Sequence, residues 1–167
     1  NADQTNIPGE VHKRYLKDCY SDNKLSSGDF DLLGEKIDLK NVKIPVMVQA
    51  SRDDHICPFE SVYRTATVFG GDTKFVLSGS GHIAGVVNHP DSKKYQHWTG
   101  GKITPTGAEW LETAEEHPGS WWPYWWDWLR PKSGKKKAAV EPKDMGLGAA
   151  PGSYVRVRLQ DIKLPLK

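Results

Sequence analysis

The chain has 167 residues, of which 37% are hydrophobic and 26% charged, and it carries a formal net charge of +2. This length accommodates about one soluble domain, and so small a net charge argues against a nucleic-acid-binding protein. A membrane-spanning helix is excluded because no stretch of about 18 apolar residues occurs. Residues 1–10 are polar and differ from a signal peptide, which has an apolar central region.

The N-terminal region predicts one helix and then a loop. Val11, Tyr15, Leu16 and Cys19 recur at helical spacing, which predicts a helix over residues 11–23. The Ser26-Ser27-Gly28 segment ends it. The chain opens without a methionine or a strand pattern, so we expect it to be the C-terminal piece of a longer protein.

The most regular pattern lies between residues 44 and 77. Residues 44–50 form a short apolar run rich in β-branched side chains, which is typical of a strand buried on both faces. A helix is predicted over residues 59–69, with Val62, Ala66 and Phe69 on its buried face, and a second strand over residues 73–77. Strand, helix and strand in this order predict a βαβ unit of a parallel α/β sheet.

The second half of the chain is less regular. Residues 88–108 are polar and predict irregular structure, residues 108–116 predict a helix, and residues 120–129 predict an aromatic helix with Pro123 in its first turn. The Lys-, Ala-, Pro- and Gly-rich residues 130–152 read as a linker. Alternating residues 154–159 predict a late strand or an extended arm.

Five of the seven tryptophans lie within eight residues of each other. On a helix they form two stripes, one of which should pack on the sheet because each ring buries a large apolar area. The other stripe is then free to contact a partner. The first stripe is Trp121, Trp125 and Trp128, and the second is Trp122 and Trp126.

Two loops follow the two predicted parallel strands, residues 51–58 and residues 78–85. Loops at the carboxyl ends of parallel strands gather functional groups, so an acid from the first loop and His82 from the second should meet. A carboxylate fixes the tautomer of such a histidine, which then takes a proton from a nucleophile. Acid before base matches the order of an α/β-hydrolase triad. Asp53 and Asp54 both remain candidates for the acid, and His55 is a supporting residue.

The nucleophile of such a triad is missing from the chain. No G-x-S-x-G or G-x-C-x-G segment occurs, and Cys57 lies between Ile56 and Pro58, which does not suit a nucleophile elbow. We therefore interpret Cys57 as a buried or half-buried thiol. Two cysteines are too few for a disulfide framework, and reduced thiols are typical of a cytoplasmic protein. No metal site is expected, because the only candidate ligands lack a standard spacing; they are Asp54, His55, Cys57 and His82.

Several short segments form a distinctive series along the chain. They include Asn1-Ala2-Asp3, Thr5-Asn6-Ile7-Pro8, Asp54-His55-Ile56, residues 80–88 (SGHIAGVVN) and residues 119–123 (GSWWP). In this order they resemble the C-terminal part of class I polyhydroxyalkanoate synthases, also called poly(3-hydroxybutyrate) synthases.

The resemblance implies a fold and its division. The fold is the C-terminal portion of an α/β-hydrolase, with a parallel sheet that is incomplete without upstream strands. Residues 1–25 correspond to the end of a cap subdomain, residues 26–130 to the C-terminal half of the catalytic core, and residues 131–167 to a basic linker and tail.

The resemblance also implies a reaction. Such an acyltransferase moves 3-hydroxyacyl groups, here 3-hydroxybutyryl, from CoA to a growing polyester through a cysteine thioester. The family's base matches His82 and its acid matches Asp54, which decides between the two aspartates; His55 belongs to the same segment. The nucleophilic cysteine falls upstream of Asn1, so the chain alone should be inactive, and no cofactor is implied.

The implied partners are 3-hydroxyacyl-CoA, the polyester chain, a second subunit in a homodimer and the surface of a polymer granule in the cytoplasm. Two alternatives remain. A fragment of an esterase or depolymerase would carry the same acid and base with an upstream serine. A non-catalytic granule-binding protein would use the tryptophans and the basic tail instead.

Overall fold

The computed structural model describes residues 6–141, 145–146 and 148–162. Its contacts divide the chain into two units, Asn1–Leu129 and Arg130–Lys167. Of the segments that carry the resemblance, Asn1-Ala2-Asp3 lies wholly and Thr5-Asn6-Ile7-Pro8 partly outside the described residues. Residues 1–5 of the predicted cap segment and residues 142–144, 147 and 163–167 of the predicted tail also lie outside them. Within the described residues, no helix has the length and apolar character needed to cross a membrane.

The N-terminal region is helical, as predicted, and is followed by a small hairpin. Helix α1 (Gly9–Arg14) continues directly into a π-helical stretch (Tyr15–Ser21), and a short α2 (Lys24–Ser27) ends at Gly28 with a left-handed φ of 75°. The predicted apolar stripe remains largely exposed. Strands β1 (Phe30–Leu32) and β2 (Glu35–Ile37) form an antiparallel pair that the sequence analysis did not predict.

The predicted βαβ unit is confirmed. Strand β3 (Val46–Ser51) is followed by α3 (Phe59–Tyr63), a 3-10 turn (Arg64–Thr67) and β4 (Thr73–Ser78). The two strands are parallel, in register from Val46 opposite Thr73 to Ser51 opposite Ser78. Both strands therefore end at the same edge of the sheet.

The sheet is mixed rather than parallel throughout, and with its helices it is consistent with the predicted α/β class. Two further strands, β5 (Gln96–Thr99) and β6 (Glu115–Pro118), extend it in the order β3-β4-β5-β6, and both of their pairings are antiparallel. Strand β5 lies in a segment that was predicted to be irregular, and β6 begins at the end of a predicted helix. The helix is shorter than predicted; α4 covers Gly107–Thr113, and the Thr106 side chain caps it by accepting a hydrogen bond from the Glu109 N–H.

Three aromatic side chains form the centre of the core. Tyr63 of α3 and Trp110 of α4 are fully buried, and Phe75 of β4 is 2% exposed. The Phe75 ring packs edge-on against both others, at centroid distances of 4.9 Å to Tyr63 and 4.8 Å to Trp110. The polar groups of Tyr63 and Trp110 are both hydrogen-bonded. The Tyr63 hydroxyl donates to the Thr104 carbonyl and the Trp110 indole N–H donates to the Gly101 carbonyl, each at 3.0 Å. This core holds α3 and α4 on one face of the sheet.

The C-terminal part differs from two predictions. Helix α5 (Trp122–Leu129) forms with Pro123 in its first turn, as predicted, but it buries none of its residues, so no tryptophan stripe enters the core. Residues 154–159 were predicted to form a late strand or an extended arm, but they contain a 3-10 turn (Tyr154–Arg156). The N–H groups of Arg156 and Val157 donate to the carbonyls of Ser153 and Tyr154, so the backbone pairs locally.

Two histidines join β5 to β6. The buried His97 donates from Nδ1 to the Gly119 carbonyl at 3.1 Å, and the His117 ring lies 5.3 Å away from it, centroid to centroid. Burial lowers the pKa of His97, and the neighbouring His117 acts in the same direction, against the Gly119 carbonyl. The unfolded chain therefore binds a proton at this position more readily than the folded chain does.

We expect the chain to lose stability as the pH falls below the ordinary histidine pKa of about 6.5, because protonation of His97 favours the unfolded state. His97→Asn, which retains a donor but cannot titrate, should flatten the fall in the thermal unfolding midpoint between about pH 7.5 and pH 5.5. The exposed His12→Asn serves as the control. An equal fall in wild type and His97→Asn would show that His97 is not responsible.

Candidate catalytic site

The loops after β3 and β4 run side by side beyond the ends of their strands. The Arg52 N–H donates to the Ser78 carbonyl at 2.8 Å, and the Asp53 N–H donates to the Ser80 carbonyl at 3.0 Å. Ser80 adopts a left-handed φ of 75°, which turns the second loop before His82. This continued pairing brings Asp54 and His82 together although 28 residues separate them.

Asp54 and His82 are joined by a hydrogen bond. His82 Nδ1 lies 2.9 Å from Asp54 Oδ2. The Asp54 side chain is 6% exposed, whereas that of His82 is 44% exposed. A shielded carboxylate thus holds one nitrogen of an imidazole whose ring is open to solvent, which is the arrangement that general-base catalysis needs.

The backbone orients the Asp54 carboxylate. Its Oδ1 accepts hydrogen bonds from the N–H groups of Ile56 and Cys57, each at 2.9 Å, which leaves Oδ2 for His82. The Cys57 N–H contributes most to holding the pKa of Asp54 below its usual value, and His82 and the Ile56 N–H add to this against the opposing effect of burial. Asp54 therefore stays ionised at neutral pH.

Asp53 takes a different position from its neighbour. Its carboxylate pairs with Arg52 Nε at 3.2 Å, and its side chain is 56% exposed. The geometry therefore favours Asp54 as the partner of His82. His55 is exposed, and it does not join the cluster that Asp54 and His82 form within the described part of the chain.

Cys57 lies beside the Asp54–His82 pair. Its side chain is exposed rather than buried, and its Sγ, one Asp54 oxygen and one His82 ring nitrogen all lie within 4.8 Å of one another. The signal was present in the sequence, because the Asp54 carboxylate caps the turn that ends at Cys57 and so brings residues three apart together.

Two tryptophans hold the turn that follows His82. The Trp121 indole donates to the Gly85 carbonyl at 3.1 Å and lies 3.2 Å from that of Val86, and the Trp122 indole donates to the Val86 carbonyl at 2.9 Å. Gly85 is required here because a Cβ atom would overlap the Ser51 side chain. Trp121 and Trp122 thus contact the His82 loop through their indole N–H groups.

Similarity to known proteins covers almost the whole chain. It is 48% identical over 161 residues to the poly(3-hydroxyalkanoate) polymerase subunit PhaC of Rhizobium etli. It is 46% identical over 165 residues to the poly(3-hydroxyalkanoate) polymerase of Methylorubrum extorquens and 38% identical over 165 residues to the PhaC subunit of Cupriavidus necator. No model of a protein family matches the chain.

Each of these alignments covers 95% of the chain but only 25% to 28% of the relative. The chain therefore spans about a quarter of the length of the curated relatives it matches. The predicted resemblance is confirmed by relatives that share one name at 38% to 48% identity. The chain is similar, over almost its whole length, to one part of the poly(3-hydroxyalkanoate) polymerases.

Proposed function

We propose that this chain supplies the base, His82, and the acid, Asp54, of the acyl-transfer site of a polyhydroxyalkanoate synthase. The observation that carries the proposal is the 2.9 Å contact between His82 Nδ1 and Asp54 Oδ2 at the end of two parallel strands. Similarity to polymerases over 95% of the chain supports the reaction class. The nucleophile is a cysteine in another part of the full-length polymerase.

His82 acts twice in the proposed cycle. It first takes the proton of the cysteine thiol, and the thiolate attacks the thioester carbonyl of 3-hydroxyacyl-CoA; CoA leaves as a thiol after accepting that proton. His82 next takes the proton of a 3-hydroxyl group, whose oxygen attacks the acyl-cysteine and releases the cysteine thiol. A new ester bond replaces a thioester in each turnover. Asp54 keeps the ring oriented and stabilises its protonated form.

Apolar side chains flank both members of the pair in the sequence. Ile56, Ile83 and Val87 are 60%, 66% and 65% exposed. Exposed aliphatic groups beside an imidazole suit the methyl-bearing 3-hydroxybutyryl unit and its polyester, since their burial releases water from apolar surface. We infer that these side chains contact the acyl chain.

We also propose the domain division, fold and surroundings that the resemblance implies. Residues 26–130 form the C-terminal half of an α/β-hydrolase core, with the end of the cap before them and a basic tail after them. Trp125 and Trp126 of α5 are 38% and 50% exposed, which supports contact with a polymer granule. The complete enzyme acts as a homodimer at granules in the cytoplasm.

The purified 167-residue chain should release no CoA from 3-hydroxybutyryl-CoA above the rate in buffer, because the acid and base lack their nucleophile. The measurement is thiol release followed with a colorimetric disulfide reagent, corrected for the thiols of Cys19 and Cys57. Turnover by the wild-type chain that disappears in Cys57→Ala would contradict the proposal and identify Cys57 as a nucleophile.

A further inference from the structure

The Asp54–His82 pair has a third neighbour, the thiol of Cys57. The Cys57 Sγ, a carboxylate oxygen of Asp54 and a ring nitrogen of His82 lie within 4.8 Å of one another. The thiol is exposed and forms no disulfide. We propose that Asp54, Cys57 and His82 form a binding site for Zn²⁺.

The three side chains match the chemistry of zinc. Thiolate, imidazole and carboxylate are its usual protein ligands. One thiolate and one carboxylate balance the two positive charges of the ion, and the neutral imidazole completes a three-ligand set. Since Cys57 and His82 are both exposed, the fourth position of a tetrahedral ion is open to water.

The ligands need only a small adjustment. Two ligands of a tetrahedral zinc lie roughly 3.5 Å apart, given zinc–sulfur and zinc–nitrogen distances of about 2.3 and 2.0 Å. The atoms here are spread over no more than 4.8 Å. The exposed Cys57 thiol has room to make such an adjustment.

The backbone has already placed two of the ligands. The Ile56 and Cys57 N–H groups hold Asp54 Oδ1 at 2.9 Å each, so the other carboxylate oxygen faces the site. Asp54 and Cys57 belong to one turn, in which the Asp54 carboxylate accepts the Cys57 N–H. The third ligand comes from the neighbouring loop, which the hydrogen bond from Asp53 to Ser80 fixes in place.

Binding has a defined proton balance. Cys57 loses its thiol proton to solvent, Asp54 binds as the carboxylate it already is, and His82 offers the lone pair of a neutral ring nitrogen. A bound ion therefore occupies the imidazole that would otherwise accept a proton. Inhibition of polymerisation by zinc rests on the proposed function. Zinc binding itself does not depend on that function.

The test is titration of the 167-residue chain with ZnCl₂ by calorimetry and with CoCl₂ by absorbance. We expect one ion per chain and a sulfur-to-cobalt charge-transfer band in the near ultraviolet. Cys57→Ser should abolish the band and weaken Zn²⁺ binding by more than about tenfold, since even the loss of an outer-shell partner costs that much. His82→Gln should weaken Zn²⁺ binding by a similar factor, although this variant retains the Cys57 thiolate.

Cys19→Ser is the matched control, because Cys19 is the other free thiol of the chain. It should bind both ions as wild type does. The proposal is overturned if the wild-type chain shows no band and no Zn²⁺ binding, if Cys57→Ser binds as tightly as wild type, or if Cys19→Ser removes the band. Because the readouts are binding and absorbance, their failure would leave the proposed acyl transfer untouched, and CoA release by the complete enzyme tests that separately.

Discussion

Replacement of His82 by alanine in a full-length polymerase carrying this sequence should lower kcat for CoA release from 3-hydroxybutyryl-CoA by about 10²- to 10⁴-fold, the contribution of a positioned general base. The reason is geometric. His82 is 44% exposed and its Nδ1 is already bonded to Asp54 at 2.9 Å, so its loss removes the base and leaves the core untouched.

His12→Ala is the matched control for this experiment, because His12 is an exposed histidine on α1, far from both loops in sequence. Its kcat should equal that of wild type. Cys57→Ala tests a separate point and should keep most of the activity, since the nucleophile lies outside this chain. Normal turnover in His82→Ala would refute the assignment of the base, and complete loss in Cys57→Ala would refute that of the nucleophile.

The largest effect on folding is expected at Trp110, which is fully buried between Phe75 and Tyr63. Trp110→Ala should lower the free energy of unfolding by about 3–5 kcal/mol, as large-to-small substitutions in cores do. The measurement is urea denaturation of the 167-residue chain followed by far-ultraviolet circular dichroism.

Trp126→Ala is the control for this prediction. Its side chain is 50% exposed and lies on α5, so the substitution should change the free energy of unfolding by no more than about 0.5 kcal/mol. Trp110→Phe, which retains an aromatic ring, should fall between the two variants. If Trp110→Ala were no more destabilising than Trp126→Ala, the core would lie elsewhere than around Tyr63, Phe75 and Trp110.

The sequence predicted the parallel unit and the Asp54–His82 contact because both depend on strong local patterns. An apolar run with β-branched residues, a helix-length segment and a second apolar run leave few alternatives to β3, α3 and β4. Parallel strands then fix which loops meet. The local pattern left both Asp53 and Asp54 as candidates for the acid. The choice between them depends on which carboxylate the Ile56 and Cys57 N–H groups hold.

Strand β5 could not be predicted because two of its three buried positions are polar, and its partner β6 has no buried position. His97 and Thr99 lie inside the sheet next to Trp98, where they are satisfied by hydrogen bonds to Gly119 and His117. Such residues show no apolar alternation, and only their partners across the sheet make their burial favourable.

The tryptophan helix was misread for a related reason. Ring area predicts burial, but the indole N–H groups of Trp121 and Trp122 are directed at the carbonyls of Gly85 and Val86. A polar end that finds a partner in a loop keeps the ring near the surface. The hydrophobicity of residues 121–129 gives no information about the Gly85 and Val86 carbonyls, which are distant in sequence.

A double-mutant cycle on Asp54 and His82 tests the central claim most directly, that the two residues act as one unit. The measured quantity is kcat/KM for CoA release from 3-hydroxybutyryl-CoA by the full-length polymerase, in wild type, Asp54→Ala, His82→Ala and the double variant. If Asp54 acts only through His82, its replacement should have no further effect once His82 is gone, because groups that work as a unit are non-additive. Independent, additive losses for the two substitutions would contradict the account.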